Sequence, residues 1–137
     1  MPQSAPAARR PSVLLVEAEP MLRQTTTKFL QRSGYDVTAC ADAPAAETIL
    51  SRGISRPSLI VVGVRVLDRE TAAAARRLRE AAPKTPMLGI ADSVHDEGEA
   101  PSLPDNLRFL AHPYDMPDVL RAVRSSLRQS GAEVAIG

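Results

Sequence analysis

Short apolar runs alternate with segments of helical periodicity along this chain, and this order constrains the fold most. The predicted strands cover residues 13–16, 35–39, 59–64, 87–91 and 107–111. The run at 13–16 has no polar alternation, which is typical of a strand buried on both faces. Helices are predicted at 20–33, 43–51, 70–82 and 115–129. Because strands and helices alternate, we expect a doubly wound α/β domain with a parallel sheet of five strands.

Composition and length are those of one globular domain. Of the 137 residues, 44% are hydrophobic and 24% are charged. We expect a flexible leader over 1–11, the domain over 12–129 and a loose tail over 130–137, with no output domain after the last helix. No apolar segment is long enough to cross a bilayer, and the N-terminus lacks the hydrophobic stretch of a signal peptide. These features predict a cytoplasmic protein.

Charge and metal-ligand spacing exclude several functions. The net charge is only +1, which gives no global field for nucleic acid. The residues His95, His112 and Cys40 are scattered singly, without the spacing of a zinc site. Cys40 is interpreted as a small buried side chain. We therefore expect no metal, no cofactor and no nucleic-acid partner.

Functional residues in such a sheet are expected where the strands end. In open parallel sheets, sites form outside the carboxyl ends of the strands. In this sequence those ends carry Glu17, Ala18, Gly63, Ala91 and His112. Glycine has no side chain, so Gly63 cannot attack a substrate, hold an ion or accept a proton. A central strand that ends on glycine predicts a site without its reactive group.

At these strand ends the chain resembles the receiver domain of bacterial two-component response regulators. The segment VLLVEAEP (13–20) is similar to the family's VLLVEDEP, and PSLIVVGV (57–64) is similar to PDLILLDV. The segments PMLGIAD (86–92) and HPYD (112–115) are similar to PIIVLTA and KPFD. The resemblance covers residues 12–127. It implies a flavodoxin-like receiver fold with strand order 2-1-3-4-5.

The resemblance also implies a chemistry, the transfer of a phosphoryl group from a histidine kinase to an aspartate beside a divalent cation. The acceptor aspartate becomes Gly63, and the acidic pair becomes Glu17 and Ala18. The switch hydroxyl becomes Ala91, and the lysine becomes His112. Only Glu17 keeps the expected chemistry, so we predict a degenerate pseudo-receiver that is not an enzyme.

Three alternatives stay open from the sequence. A displaced acceptor is one, with Asp68 or Asp92 taking the phosphoryl group. A small-molecule sensor is the second, with its ligand in the pocket vacated at Gly63 and Ala18. The third concerns the role of His112, which is either a pH-sensitive partner of Glu17 or a side chain that fills space before a proline.

Surface features predict how such a domain could signal. The segment 93–106 contains Gly98, Pro101 and Pro104, so the helix that receivers form there should be short or irregular. Arginines lie on the helix at 70–82 (Arg76, Arg77, Arg79) and form a stripe on the last helix (Arg121, Arg124, Arg128). We predict that the stripe on the last helix binds a protein partner: a histidine kinase, another receiver or a localisation factor. The resemblance also allows a homodimer.

Overall fold

The computed structural model describes residues 10–67, 69–94, 107–111 and 114–130. Strands and helices follow one another in the predicted order. The elements are β1 (Ser12–Val16), α1 (Pro20–Arg32), β2 (Asp36–Cys40), α2 (Ala43–Ser51), β3 (Leu59–Leu67), α3 (Arg69–Ala81), β4 (Met87–Val94), β5 (Leu107–Ala111) and α4 (Met116–Ser130). The predicted α/β class is confirmed.

All the strand pairs are parallel, and the sheet has the order β2-β1-β3-β4-β5. This is the order that the resemblance implied. The first strand, β1, is second from one edge of the sheet. Strand β2 lies on its outer side, and β3 lies on its other side. The order therefore reverses between β1 and β3, which is where open α/β sheets form their sites.

The core lies on both faces of the sheet, because successive strand residues point to opposite sides. On one face Val13 and Leu15 pack with residues of α1 and α4, including Leu30, Val123 and Leu127. On the other face residues of β1 and β3 pack with α2 and α3; this cluster includes Leu14, Val16, Ala46, Ile60 and Leu78. Two covered faces explain the continuous apolar runs of the central strands.

In α1 and α2, the side chain of the residue just before the helix fixes where the helix starts. The first turn of each of these helices contains a proline. Glu19 caps α1 by accepting a hydrogen bond from Leu22 N at 2.7 Å. Asp42 caps α2 by accepting one from Ala45 N at 2.9 Å. At the end of α1, Gly34 adopts φ 105°, as expected for the residue that ends a helix. These contacts set where each helix begins relative to the sheet.

Two central strands are longer than the sequence predicts. Strand β3 runs to Leu67 rather than to residue 64, and β4 runs to Val94 rather than to residue 91. The two strands continue to pair beyond the predicted ends, with Val66 opposite Ser93 and Leu67 opposite Val94. Pairing between β3 and β4 therefore extends each strand beyond the end of its own apolar pattern.

Several predicted features lie outside the described residues. These are the irregular helix from residue 95 onward, the leader over 1–9 and the tail over 131–137. Ser93 and Val94, which we expected at the start of that helix, belong to β4 instead. Within the described residues, no helix combines the length and hydrophobicity that a membrane span requires.

Candidate functional site

Glu17 and Gly63 lie side by side at the point where the strand order reverses. The ladder between β1 and β3 ends at the pair Val16 and Val62. Glu17 and Gly63 are the next residue on each strand. The sequence suggested that Gly63 lies at the end of the strand. Because β3 continues to Leu67, Gly63 instead lies inside it. It still borders the open edge left where β1 stops.

The carboxylate of Glu17 fills the space that a side chain on residue 63 would need. A Cβ atom built on Gly63 would lie 2.9 Å from Glu17 Cδ and closer still to Glu17 Oε1. Real Cβ atoms essentially never approach another atom so closely. Since glycine has no Cβ, the glutamate can lie over the backbone of β3. The space that a side chain at position 63 would take is therefore occupied by another residue of the same chain.

Three polar contacts hold the turn between β1 and α1 in this arrangement. Glu17 Oε2 accepts a hydrogen bond from Glu19 N at 3.0 Å. The guanidinium of Arg23 donates to the carbonyl oxygen of Glu17 at 2.8 Å. The amide of Glu17 donates to Cys40 O at 2.9 Å, which ties the turn to β2. The turn is thus anchored by protein groups at both its backbone and its carboxylate.

The other acids that the sequence placed near the site are used differently or lie elsewhere. The Glu19 carboxylate caps α1, so it does not face a vacant ion site. Asp92, one candidate for a displaced acceptor, belongs to β4. Asp68, the other candidate for a displaced acceptor, lies outside the described residues.

The remaining positions of the predicted site are only partly described. Ala91 lies in β4 and pairs with Val64 on one side and Ala111 on the other. Ala18 is exposed. His112 lies outside the described residues, so its pairing with Glu17 stays a prediction.

The cavity beside Glu17 and Gly63 is small. Leu22, Thr26 and Met116 are among the other residues that line it, and its volume is about 10 Å³. That volume is at the lower limit for a single water molecule. This cavity alone is too small for the small ligand considered from the sequence, but Ala18 does not line it, so the sensor hypothesis stays a prediction.

Metal-binding groups do not cluster in the described part of the chain. No group of three or more His, Cys, Asp or Glu residues there could hold an ion. Cys40 is only partly buried, in contrast to the buried side chain that we predicted. Burial nevertheless raises the pKa of its thiol. The thiol is therefore less readily ionised than a free cysteine.

The arginines of α3 are engaged within the domain. Arg77 forms an ion pair with Glu47 of α2 at 3.2 Å. Arg79 donates to the carbonyl oxygens of Ala82 and Pro83, each at 3.2 Å, and also to that of Thr85. These bonds satisfy carbonyls just beyond the end of the helix. Arg77 and Arg79 thus bind groups within the domain.

On α4 the arginine stripe divides into one paired and two free residues. Asp115 and Asp118 form a reciprocal cap, each accepting from the other's amide at 2.9 Å, and Asp118 also accepts from Arg121. The hydrogen bond from the Asp115 amide is the largest cause that holds the pKa of Asp118 below its ordinary value, and the Asp115 side chain and then Arg121 add to it. Arg124 and Arg128 are exposed and make no ion pair with any described residue. Asp115 is thus the N-cap of α4.

Sequence reasoning missed Arg23 and the position of the Glu17 side chain. An arginine in the first turns of an amphipathic helix looks like any solvent-facing cation. Its hydrogen bond to the Glu17 carbonyl depends on how the preceding turn folds back. The proline at position 20 after Glu19 did mark a helix start, and it could have identified Glu19 as the cap.

Comparison with known proteins places the fold. The probable transcriptional regulatory protein TcrX of Mycobacterium tuberculosis is 26% identical to this chain, over 92% of the chain and 56% of the relative. The chain thus spans about half the length of that protein. No protein-family model matches the chain.

Two solved structures show the same architecture. A response regulator receiver protein from Sinorhizobium medicae has a TM-score of 0.73 at 24% identity, covering 89% of this chain and 98% of that one. The receiver domain of an HD domain-containing protein from Pseudomonas fluorescens has a TM-score of 0.71 at 20% identity, covering 91% and 100%. These similarities confirm the fold that the resemblance implied.

Proposed function

We propose that this chain, which has the fold of the response regulator receiver domains, is a pseudo-receiver that works without phosphorylation. In this proposal it is a cytoplasmic, non-enzymatic interaction module of a bacterial signalling system. Its partner is a protein: a histidine kinase, another receiver or a localisation factor. It needs no cofactor or metal ion to bind that partner.

The observation that carries the proposal is the occupation of the acceptor position by Glu17. A receiver needs an aspartate on β3 with an open approach for phosphate and cation. Here residue 63 has no side chain, and the Glu17 carboxylate lies against its backbone. The same carboxylate is bound to the Glu19 amide. The site resembles a receiver site closed by its own remaining acid.

Partner binding is assigned to α4, because its free cations point away from the core. Arg124 and Arg128 are exposed, whereas Val123 and Leu127 of the same helix are fully buried. A stripe of unpaired guanidinium groups favours a partner surface that carries carboxylates. Arg121 contributes less, because Asp118 already binds it.

A titration with Mg²⁺ tests the closed site. We expect the backbone amide resonances of Glu17, Glu19 and Gly63 to stay unchanged at millimolar Mg²⁺. A receiver with an intact ion site would shift them. Saturable shifts at Glu17 or at Asp92 would contradict the proposal and would favour a displaced acceptor.

A further inference from the structure

A groove of about 470 Å³ lies between α1 and β2, and it shares Arg23 with the turn that holds Glu17 beside Gly63. Its walls are formed by α1 side chains, including Arg23, Gln24, Lys28 and Gln31, and Ala39 of β2 also lines it. The α4 residues Arg124 and Arg128 do not contribute to it. The groove is open along one side and runs beside the edge of the sheet.

Within the described part of the chain, the edge strand β2 leaves backbone groups unpaired beside this groove. It ends the sheet, with β1 as its neighbour. The Asp36 amide donates to Pro11 O and the Cys40 carbonyl accepts from Glu17 N, so both residues direct their polar groups toward β1. Because this direction alternates along a parallel strand, Val37 and Ala39 direct theirs outward. Such an edge is a template for another extended segment.

The groove carries positive charge that the described residues do not neutralise. Lys28 is exposed and has no hydrogen bond or ion pair among them. Arg23 supplies a second cation, although one of its amino groups is bound to the Glu17 and Ala18 carbonyls. Of the residues that the structure describes, no carboxylate lines the groove.

Two carboxylates lie near the ends of β2 without entering the groove. Asp36 begins the strand and is exposed. Asp42 follows the strand, and its side chain caps α2. The charge over the middle of the strand is therefore positive.

We propose that this groove binds an acidic, extended segment of a partner protein, which adds to the sheet beside β2. The backbone of the segment pairs with Val37 and Ala39, and its carboxylates meet Lys28 and Arg23. Main-chain pairing supplies affinity in this mode of recognition, and side-chain contacts supply selectivity. This surface is separate from α4, so the proposal does not depend on the role of the arginine stripe.

The test uses the whole protein, labelled with ¹⁵N, and a capped peptide of alternating Val and Glu about five residues long. We expect amide shifts at Val37 and Ala39 that saturate with peptide and weaken with salt. Lys28→Glu should raise the Kd about five-fold, because it replaces attraction by repulsion at one exposed charge. The matched control Arg32→Glu, also exposed on α1 but outside the groove, should change the Kd by less than about two-fold.

Two further peptides separate backbone pairing from general charge attraction. A Val and Glu peptide with alternate amides N-methylated should lose binding, because it lacks the donors that pair with an edge strand. A Val and Lys peptide should not bind. Equal binding of either peptide would overturn the proposal, as would shifts confined to α4. Shifts at Val37 and Ala39 that depend on protein concentration alone would overturn it in favour of a second copy of this chain.

Discussion

At the scale of single residues, the Glu17 carboxylate occupies the space that a side chain at position 63 would fill. The absence of a Cβ on β3 gives the Glu17 carboxylate its place, and the Glu19 amide holds it there. A carboxylate returned to residue 63 would therefore meet a carboxylate already present. Two like charges at such a distance oppose the ionisation of both groups.

We predict that Gly63→Asp destabilises the fold more than Gly63→Asn, which has the same size and no charge. The difference should be about 1–2 kcal/mol at neutral pH, because one carboxyl of the pair is ionised at a cost. The shared site raises the folded pKa of that carboxyl above its unfolded value. The cost is thus complete above the folded pKa and disappears as the pH falls below the unfolded pKa, near 4.

Urea unfolding of both variants from neutral to acid pH measures this difference. Equal stability of the Asp and Asn variants at neutral pH would show that Glu17 does not occupy the space over residue 63. Removing the glutamate gives a further check. In a Glu17→Ala background the Asp and Asn variants should become equally stable.

At the scale of elements, the turn between β1 and α1 depends on Arg23. Its guanidinium binds the carbonyl oxygens of Glu17 and Ala18. We predict that Arg23→Gln speeds hydrogen exchange at the Glu19 and Leu22 amides and lowers the free energy of unfolding by about 1 kcal/mol. The control Arg32→Gln, exposed at the end of the same helix, should leave both unchanged. Exchange rates that rise equally in both variants would contradict this role for Arg23.

The start of α4 is predicted to respond to acid through Asp118. Its folded pKa lies below the ordinary value, mainly because the Asp115 amide donates to it. A lowered folded pKa contributes stability above the unfolded pKa, and this contribution is lost as the pH falls through the folded pKa.

Asp118→Asn should therefore lower the Tm at pH 7 and should match the wild type in strong acid. Asp115→Asn is the control, because asparagine is an equally good N-cap. Thermal unfolding followed by circular dichroism at several pH values measures both variants. A constant difference between Asp118→Asn and wild type across the pH range would refute the assignment.

At the scale of the whole molecule, α4 is the surface that we propose for partner recognition. We predict that Arg124→Glu with Arg128→Glu abolishes most binding to a host protein, because both guanidinium groups are exposed and unpaired within the described residues. The Tm should change little, since surface substitutions away from internal contacts are usually nearly neutral. Arg121 is left unchanged because reversing it would break its contact with Asp118.

Affinity capture from the host, followed by mass spectrometry, measures this prediction. The control is Arg56→Glu with Lys84→Glu, two exposed cations elsewhere that give the same change in net charge. A partner lost equally from both double variants would indicate only a general effect of charge. Undiminished capture by the α4 variant would contradict the role of the stripe.

The sequence predicted the order of elements well, because each central strand is a local apolar run. Val13 to Val16 has this pattern on its own, and its burial on both faces confirms it. The ends of β3 and β4 could not be predicted in this way, because they depend on pairing between strands.

The residues expected at the candidate site could be named from the sequence, and their role stays a prediction, but the geometry of the site could not be predicted. Ala18, Gly63 and Ala91 stand where the resemblance implies other residues, so the sequence alone identifies these positions. The placement of the Glu17 side chain depends on a glycine on another strand, and the use of Arg77 depends on Glu47 of another helix. Tertiary contacts of this kind have no local sequence pattern.

Phosphoryl transfer tests the central claim most directly. The protein is incubated with acetyl phosphate and Mg²⁺, and intact-mass spectrometry then measures the attached phosphoryl groups. An intact receiver domain treated in parallel shows that the reaction works. The account predicts no added phosphoryl group on this protein at any time point. A phosphorylated species that disappears on Asp68→Asn or Asp92→Asn would contradict it.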